Sequence, residues 1–263
     1  MVTVALIQVD LTTSDAARPR PLQPVEALIR DAAADGAEFI VLPELWRTGP
    51  FELESTVGAA EPITGPTAVA MSDLAAELGV WLHAGSILES DGAPAAARLF
   101  NTSLLFDPAG ELIATYRKRH LFGFDSGEAA LLDAGDDVVV VDTPLGPTGL
   151  ATCYDLRFPE HFRTLLDVGA ESIVLTSGWP DVRIGHWRTL TRARAIENQV
   201  NLLVCNATGL SGTVPLGGSS AVIDPWGAVT AEAGPGATTL LTQVDPTAPA
   251  RTRAEFPVLR DRR

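Results

Sequence analysis

Thr148-Gly149-Leu150-Ala151-Thr152-Cys153-Tyr154-Asp155-Leu156-Arg157-Phe158-Pro159-Glu160 reads as a buried strand that stops abruptly at a cysteine. Its approach is apolar: Val138 to Val141, a turn over Pro144 to Pro147, then Gly149-Leu150-Ala151. A turn follows, and then a helix from about Pro159 to Val168, stopped by Gly169. A side chain at a strand tip that faces a helix start has backbone N–H groups within reach of an oxyanion. Taken alone, Cys153 is equally well a small buried hydrophobe. The rest of the chain has to choose.

Upstream, Val2 to Leu11 alternates as a strand and Asp15 to Pro24 is turn-rich. Val25 to Asp35 has helical spacing and ends at Gly36. Phe39-Ile40-Val41-Leu42 is a short apolar run of the kind covered on both faces, and it breaks at Pro43-Glu44. Pro66 to Gly79 reads as a helix, Trp81 to Glu89 as a strand and Gly92 to Ala97 as a loop. Phe100 to Phe106 and Leu112 to Tyr116 form a hairpin about Asp107-Pro108-Ala109-Gly110, which delivers Arg117-Lys118-Arg119-His120. Downstream come a strand at Ile173 to Thr176, a helix at Gly185 to Gln199 and a strand at Leu202 to Cys205. A glycine-rich loop then leads to Gly218, a hairpin turns at Asp224-Pro225-Trp226-Gly227, and Leu240 to Val244 is the last strand. This rhythm is neither strict βαβ nor all-β. It predicts an α/β protein of mixed sheets covered by helices, in one domain over residues 1–263, with no fixed-period repeat.

Composition narrows the function classes. A hydrophobic fraction of 46% with 20% charged residues describes a globular chain with a sizeable core, and no apolar run approaches the span of a membrane helix. The net charge of −14 argues against nucleic acid, which binds through basic residues that neutralise phosphates. The stretch Met1 to Asp10 has no basic region of the signal-peptide type, and two cysteines build no disulfide framework, so a cytoplasmic protein is expected. Arg251 to Arg263 reads as a solvated tail.

Glu44, Lys118 and Cys153 each follow a strand-like run. Singly, the first is a solvated strand-end acid and the second a snorkelling lysine. Together they are a set for acyl transfer. A carboxylate takes the thiol proton, and an ammonium stabilises the oxyanion formed when sulfur attacks a carbonyl or nitrile.

Three motifs carry a family resemblance: Val41-Leu42-Pro43-Glu44-Leu45-Trp46, Tyr116-Arg117-Lys118-Arg119-His120-Leu121-Phe122 and Thr152 to Glu160. With His186-Trp187, Arg192 to Gln199 and Gly217-Gly218-Ser219-Ser220 in the same order, the sequence resembles the nitrilase superfamily, the carbon–nitrogen hydrolases. The resemblance implies a four-layer αββα sandwich that assembles as a homodimer or higher homo-oligomer through outer helices and the C-terminal segment. It implies Cys153 as nucleophile, Glu44 as general base and Lys118 as electrostatic stabiliser. Glu128 matches the family's second glutamate, and the Tyr154 backbone N–H completes the oxyanion hole. Trp46, Phe122, Arg157 and Trp179 are candidate substrate contacts. Arg183 and His186 join Arg157 as candidate receivers of a substrate carboxylate or as structural residues, and Arg194 with Glu197 is expected to brace the site floor.

Ala134-Gly135 and Asn201 depart from the family's usual residues, which bears on pocket shape. The context around Cys153 is similar to the amidase branches, including omega-amidases and deaminated-glutathione amidases. It points to a small-molecule amide substrate with no cofactor; nitrile or N-carbamoyl hydrolysis is the alternative.

Other chemistries find less support. Gly217-Gly218-Ser219-Ser220 is similar to a stretch of amidase-signature serine enzymes, but Ala221-Val222 follows where further glycines would stand. His83, His120, His161 and His186 lack metal-ligand spacing. Cys205, inside an apolar strand, reads as core. A silent binding module remains as an alternative, although a scaffold has no need of two charges and a thiol at strand ends.

Overall fold

The computed structural model describes residues 1–13, 15, 18–92 and 97–263. The loop expected over 92–97 therefore lies mostly outside the described residues. Two six-stranded sheets dominate. The first runs Thr238–Val244, Val2–Gln8, Phe39–Val41, Trp81–Asp91, Arg98–Phe106, Leu112–Arg117 in spatial order. The second runs Val140–Thr143, Gly146–Thr152, Ser172–Ser177, Asn201–Asn206, Ala221–Ile223, Val229–Glu232. Read in these directions the sheets share one pairing pattern: antiparallel, parallel, parallel, antiparallel, antiparallel. The fold thus repeats in structure where the sequence shows no repeat.

Alternation of side chains along these strands sorts them into layers. Val4, Leu6, Phe39 and Val41 of the first sheet meet Leu150, Val174, Leu203 and Cys205 of the second in a shared inner core. On the outer face of the first sheet, Ala5, Ile7, Ile40 and Leu82 pack under the helices Gln23–Ala34 and Pro66–Leu78. On the outer face of the second, Ile173, Leu175, Leu202 and Val204 pack under Pro159–Asp167 and Ile184–Asn198. Both faces of each sheet are covered, which is why the strands read as continuously apolar. This is the expected αββα sandwich. Among the described residues, no helix is long and apolar enough to cross a membrane.

Two expectations need correction. The glycine-rich loop before Gly218 holds a two-stranded ribbon, Thr208–Ser211 with Val214–Gly217. Arg251 to Arg263 is not simply a solvated tail. Its first part belongs to a helix, Ala248–Glu255, that buries Ala248, Pro249 and Thr252, and Arg253 Nη2 donates to the Ala170 carbonyl at 2.9 Å. Charge density alone hid that docking, because Arg253 is one of the basic side chains and yet bonds a backbone carbonyl of the body of the protein.

His83, in the strand Trp81–Asp91, is fully buried, and neither ring nitrogen has a hydrogen-bond partner among the described residues. Burial pushes its pKa down to about 4. Between that value and the ordinary ~6.5, the unfolded chain binds a proton that the folded chain does not, so stability falls as pH drops through this window. The loss from this one group is about 3 kcal/mol across the full window. Denaturant titrations at pH 7 and pH 4 should show it, and His83→Leu should reduce the difference by that amount. An unchanged pH dependence in the variant would refute the assignment.

Candidate active site

The side chains singled out in the sequence converge at one edge of the sandwich. Phe39–Val41, Gly146–Thr152 and Ser172–Ser177 are parallel strands, and their carboxyl ends open onto a common crevice, the usual place for a site in such sheets. Leu112–Arg117, reached through two antiparallel pairings from Trp81–Asp91, ends at the same edge.

Glu44 is held there by the strand beside it. At Gly85, φ is +67°, and a Cβ would lie 2.0 Å from the Pro43 carbonyl oxygen, so only glycine lets the chain approach. The Leu45 amide donates to Ser86 Oγ at 3.0 Å, and Trp46 Nε1 donates to the Ala84 carbonyl at 3.0 Å. Leu45 takes φ +42°, which turns Glu44 into the crevice floor. This accounts for the Gly85-Ser86 pair in the middle of a strand, and the ladder there shifts register between His83 and Ser86. It also corrects the expectation for Trp46, which packs in the outer core of the first sheet and does not line the cleft.

Lys118 Nζ donates to Glu44 Oε1 at 2.8 Å and to Glu128 Oε2 at 2.6 Å, with all three side chains at most 3% exposed. Two partners not foreseen from sequence complete the cage. Asn101 Nδ2 donates to Glu44 Oε1 at 2.8 Å and to Glu128 Oε1 at 2.7 Å, and the Gly178 amide donates to Glu44 Oε2 at 2.8 Å. The Phe122 amide donates to Glu128 Oε2 at 3.0 Å. Burial alone would lower the pKa of the Lys118 ammonium, but the Glu128 and Glu44 charges hold it well above its ordinary value. Burial raises the Glu128 carboxyl, with Lys118 opposing and Glu44 adding to the rise.

Cys153 begins a short 3-10 helix, Cys153–Arg157, with φ +45°. A non-glycine residue there carries roughly 1–3 kcal/mol of strain and persists only where the surroundings hold it. They do so through Asp155. The Thr152 amide donates to Asp155 Oδ2 at 2.9 Å, and the Thr152 side chain caps the helix in return. Asp155 also accepts from Tyr116 Oη at 2.7 Å and from the His120 amide at 3.1 Å, with His120 Nδ1 at 2.7 Å. From the helix Ile184–Asn198, Arg194 donates to the Leu156 carbonyl at 2.9 and 3.1 Å and pairs with Glu197, the brace expected from sequence. The cap leaves the Cys153 and Tyr154 amides without partners inside the helix. Burial and then the Glu44 charge push the Cys153 thiol well up, against the pull of Lys118, so sulfur rests protonated.

Above this floor lies a narrow cleft lined by Phe51, Phe122, Tyr154, Arg157, Trp179 and Arg183 among others. Arg157 lies over the Trp179 ring at 4.7 Å and Arg183 over the Phe122 ring at 5.4 Å. Burial and the neighbouring Arg183 charge lower the Arg157 pKa, which marks two guanidiniums crowded together. Among the described residues neither has a carboxylate at salt-bridge distance. His186, expected as a further candidate, is exposed beyond the cleft and meets Arg157 at 3.3 Å. Among the described residues, no group of three His, Cys, Asp or Glu side chains could hold a metal ion.

The chain is similar to known proteins over nearly its whole length. A family model described as carbon-nitrogen hydrolase matches residues 3–254. The chain is 40% identical over 264 aligned positions to a 2-oxoglutaramate amidase of Paenarthrobacter nicotinovorans, covering 99% of this chain and 89% of that one. It is 34% identical over 246 positions to an omega-amidase of Homo sapiens, covering 90% and 87%. A solved CN-hydrolase superfamily protein of Xanthomonas campestris, which carries an arsenic adduct in its active site, superposes with a TM-score of 0.87 at 30% identity, covering 100% and 97%.

The Asp155 network has a measurable consequence. Burial would raise this carboxyl, but His120, His161, Tyr116 and the Thr152 amide together hold it below its ordinary range. Its contribution is therefore present above the unfolded carboxyl's pKa and lost as pH falls through the lower folded value. Asp155→Asn should cost at least about 2 kcal/mol at pH 7 by denaturant unfolding, with the gap to wild type closing in acid. A variant as stable as wild type at pH 7 would show that the network holds nothing.

Proposed function

The chain belongs to the carbon–nitrogen hydrolase family, and we propose that this amidase cleaves the terminal amide of a short dicarboxylic acid monoamide through a thioester on Cys153. The observation that carries the substrate class is the polarity of the cleft. Its floor holds two carboxylates against one ammonium, whereas its wall presents Arg157 and Arg183 with no acid partner among the described residues. A molecule with a neutral amide at one end and a carboxylate at the other fits both ends. The names of the relatives, 2-oxoglutaramate amidase and omega-amidase, point to the same class.

In this mechanism Glu44 removes the Sγ proton as sulfur attacks the amide carbon, so that no thiolate need be present at rest. Charge develops on the amide oxygen. The third proton of Lys118, not used by Glu44 or Glu128, and the Tyr154 amide receive it. The intermediate collapses with cleavage of the C–N bond. Glu44 returns its proton to the departing nitrogen, and ammonia leaves. Water then loses a proton to Glu44 and attacks the thioester carbon; the C–S bond breaks, sulfur regains the proton and the acid is released. Glu128 orients Lys118, and Trp179, Phe122 and Phe51 wall the substrate chain.

Assembly as a homodimer belongs to the same proposal. Ile196 on an outer helix, Trp226 in the hairpin turn and Phe256 in the C-terminal segment are about half exposed, with the two rings stacked at 5.8 Å. Two buried free cysteines are consistent with a cytoplasmic setting.

Turnover of a panel of monoamides, carboxylate-free amides, nitriles and N-carbamoyl compounds tests the substrate class. The monoamides should lead. Arg157→Ala and Arg183→Ala should each raise KM for them about tenfold or more, while kcat changes little. Glu44→Gln should lower kcat by about 10²- to 10⁴-fold. Faster turnover of a nitrile or carbamoyl compound, or arginine variants indifferent to the carboxylate, would overturn the assignment. Sedimentation should give twice the 27.7 kDa chain mass.

A further inference from the structure

Asn101 stands at the centre of the site, yet its chemistry is unusual for a buried amide. It lies in the strand Arg98–Phe106, fully buried, with Phe100 before it and Thr102 after it, both buried as well. Its single nitrogen spends both hydrogens on carboxylates, on Glu44 Oε1 at 2.8 Å and Glu128 Oε1 at 2.7 Å. Its carbonyl oxygen Oδ1 is buried and has no hydrogen-bond partner among the described residues. The opposite orientation of the amide would face a carbonyl oxygen toward two carboxylates, which offer no proton when ionised. Leaving Oδ1 unpaired is costly in a protein interior. The amide accepts that cost only because both hydrogens go to charged acceptors.

The contacts close a ring. Glu44 Oε1 accepts from both Lys118 Nζ and Asn101 Nδ2; Lys118 Nζ bonds Glu128 Oε2, and Glu128 Oε1 returns to Asn101. The backbone supports it, since the Lys118 amide donates to the Asn101 carbonyl at 2.8 Å. The ionisable groups that face this ring are Glu44, Glu128, Lys118 and Cys153. One ammonium against two carboxylates leaves an uncompensated negative charge in a buried place. A neutral donor to both acids offsets part of that charge without adding a second cation, which would draw the proton of Cys153 away before substrate arrives.

We infer that Asn101 is a positioning residue that keeps Glu44 and Glu128 ionised together and aims the free oxygen of Glu44 at the reacting proton. Its role rests on the proposed assignment of Glu44 as base. Glu44 Oε1 is filled by two donors, and among the described residues Oε2 accepts only the Gly178 amide, so the lone pair left for proton transfer is on Oε2. Lys118, with two of its three protons engaged by the ring, keeps one for the oxyanion.

The test is the pH profile of kcat/KM for wild type, Asn101→Leu and Asn101→Asp. Loss of the shared donor should move the acid limb up by about one pH unit or more, with activity at pH 7 down about ten- to a hundredfold. Asn101→Asp should shift further than Asn101→Leu, because it adds a third acid to the ring. Reduced activity on an unmoved acid limb would mean a merely structural residue and would overturn the inference, as would activity within twofold of wild type. If neither variant folds, the wild-type protein still decides. Labelled with ¹⁵N, its Asn101 side-chain amide protons should shift together over the pH interval in which activity is lost; protons that stay fixed there sink the proposal. Glu44→Gln is measured alongside. Full activity in that variant would overturn the base assignment and this inference with it, whereas an inactive Glu44→Gln beside unmoved Asn101 profiles overturns only the inference.

Discussion

One buried ammonium, Lys118, shared between Glu44 and Glu128, is the contact on which the rest of the site depends. Three charged side chains removed from water are costly unless each is well paired and hydrogen-bonded. The surrounding structure meets that condition with neutral donors: the Asn101 amide and the backbone N–H groups of Gly178 and Phe122. These donors offset part of the excess negative charge but add no second cation. The floor therefore holds two carboxylates against one ammonium beside the Cys153 thiol.

That arrangement needs a frame that brings distant strand ends to one edge. The two sheets supply it by repeating the same order of pairings and packing face to face through Val4, Leu6, Val174 and Leu203. Glu44 follows the third strand of its sheet in spatial order, and Gly178 follows the third strand of the other. The amide of one half thus meets the carboxylate of the other. Inner-core packing is what sets their separation, because close-packed apolar layers do not slide by fractions of an ångström without losing contacts.

The cleft adds a second, opposite polarity. Arg157 and Arg183 are supported on aromatic rings and lack internal counter-ions among the described residues, while the floor beneath is net negative. An anion is drawn to the wall and repelled from the floor. Such a field orients a molecule charged at one end only, and it leaves the neutral end against the sulfur.

Much of this was legible from the order of residues. Strand and helix positions follow from apolar periodicity, and Pro43-Glu44, Lys118 and Cys153 stand out because charge or thiol abruptly ends an apolar run. The bulge at Gly85-Ser86 was visible as glycine within a strand, though not its purpose, which is to admit Pro43. Asn101 gives only a faint signal, as an amide next to the hydroxyls of Thr102 and Ser103 in a strand that is apolar at Phe100, Leu104 and Leu105, and its two partners lie 57 and 27 residues away. Nearness to Glu44 in sequence suggests a cleft position for Trp46, but the turn at Leu45 sends the two side chains to opposite sides. By itself the sequence determined which elements form and which groups carry reactive chemistry, since both depend on local pattern and residue type. Only the tertiary structure decided which neutral donors hold the charges, where each carboxylate oxygen points and which aromatic faces the cleft. Those outcomes rest on distances between strands that the chain brings together from far apart, and no local pattern encodes them.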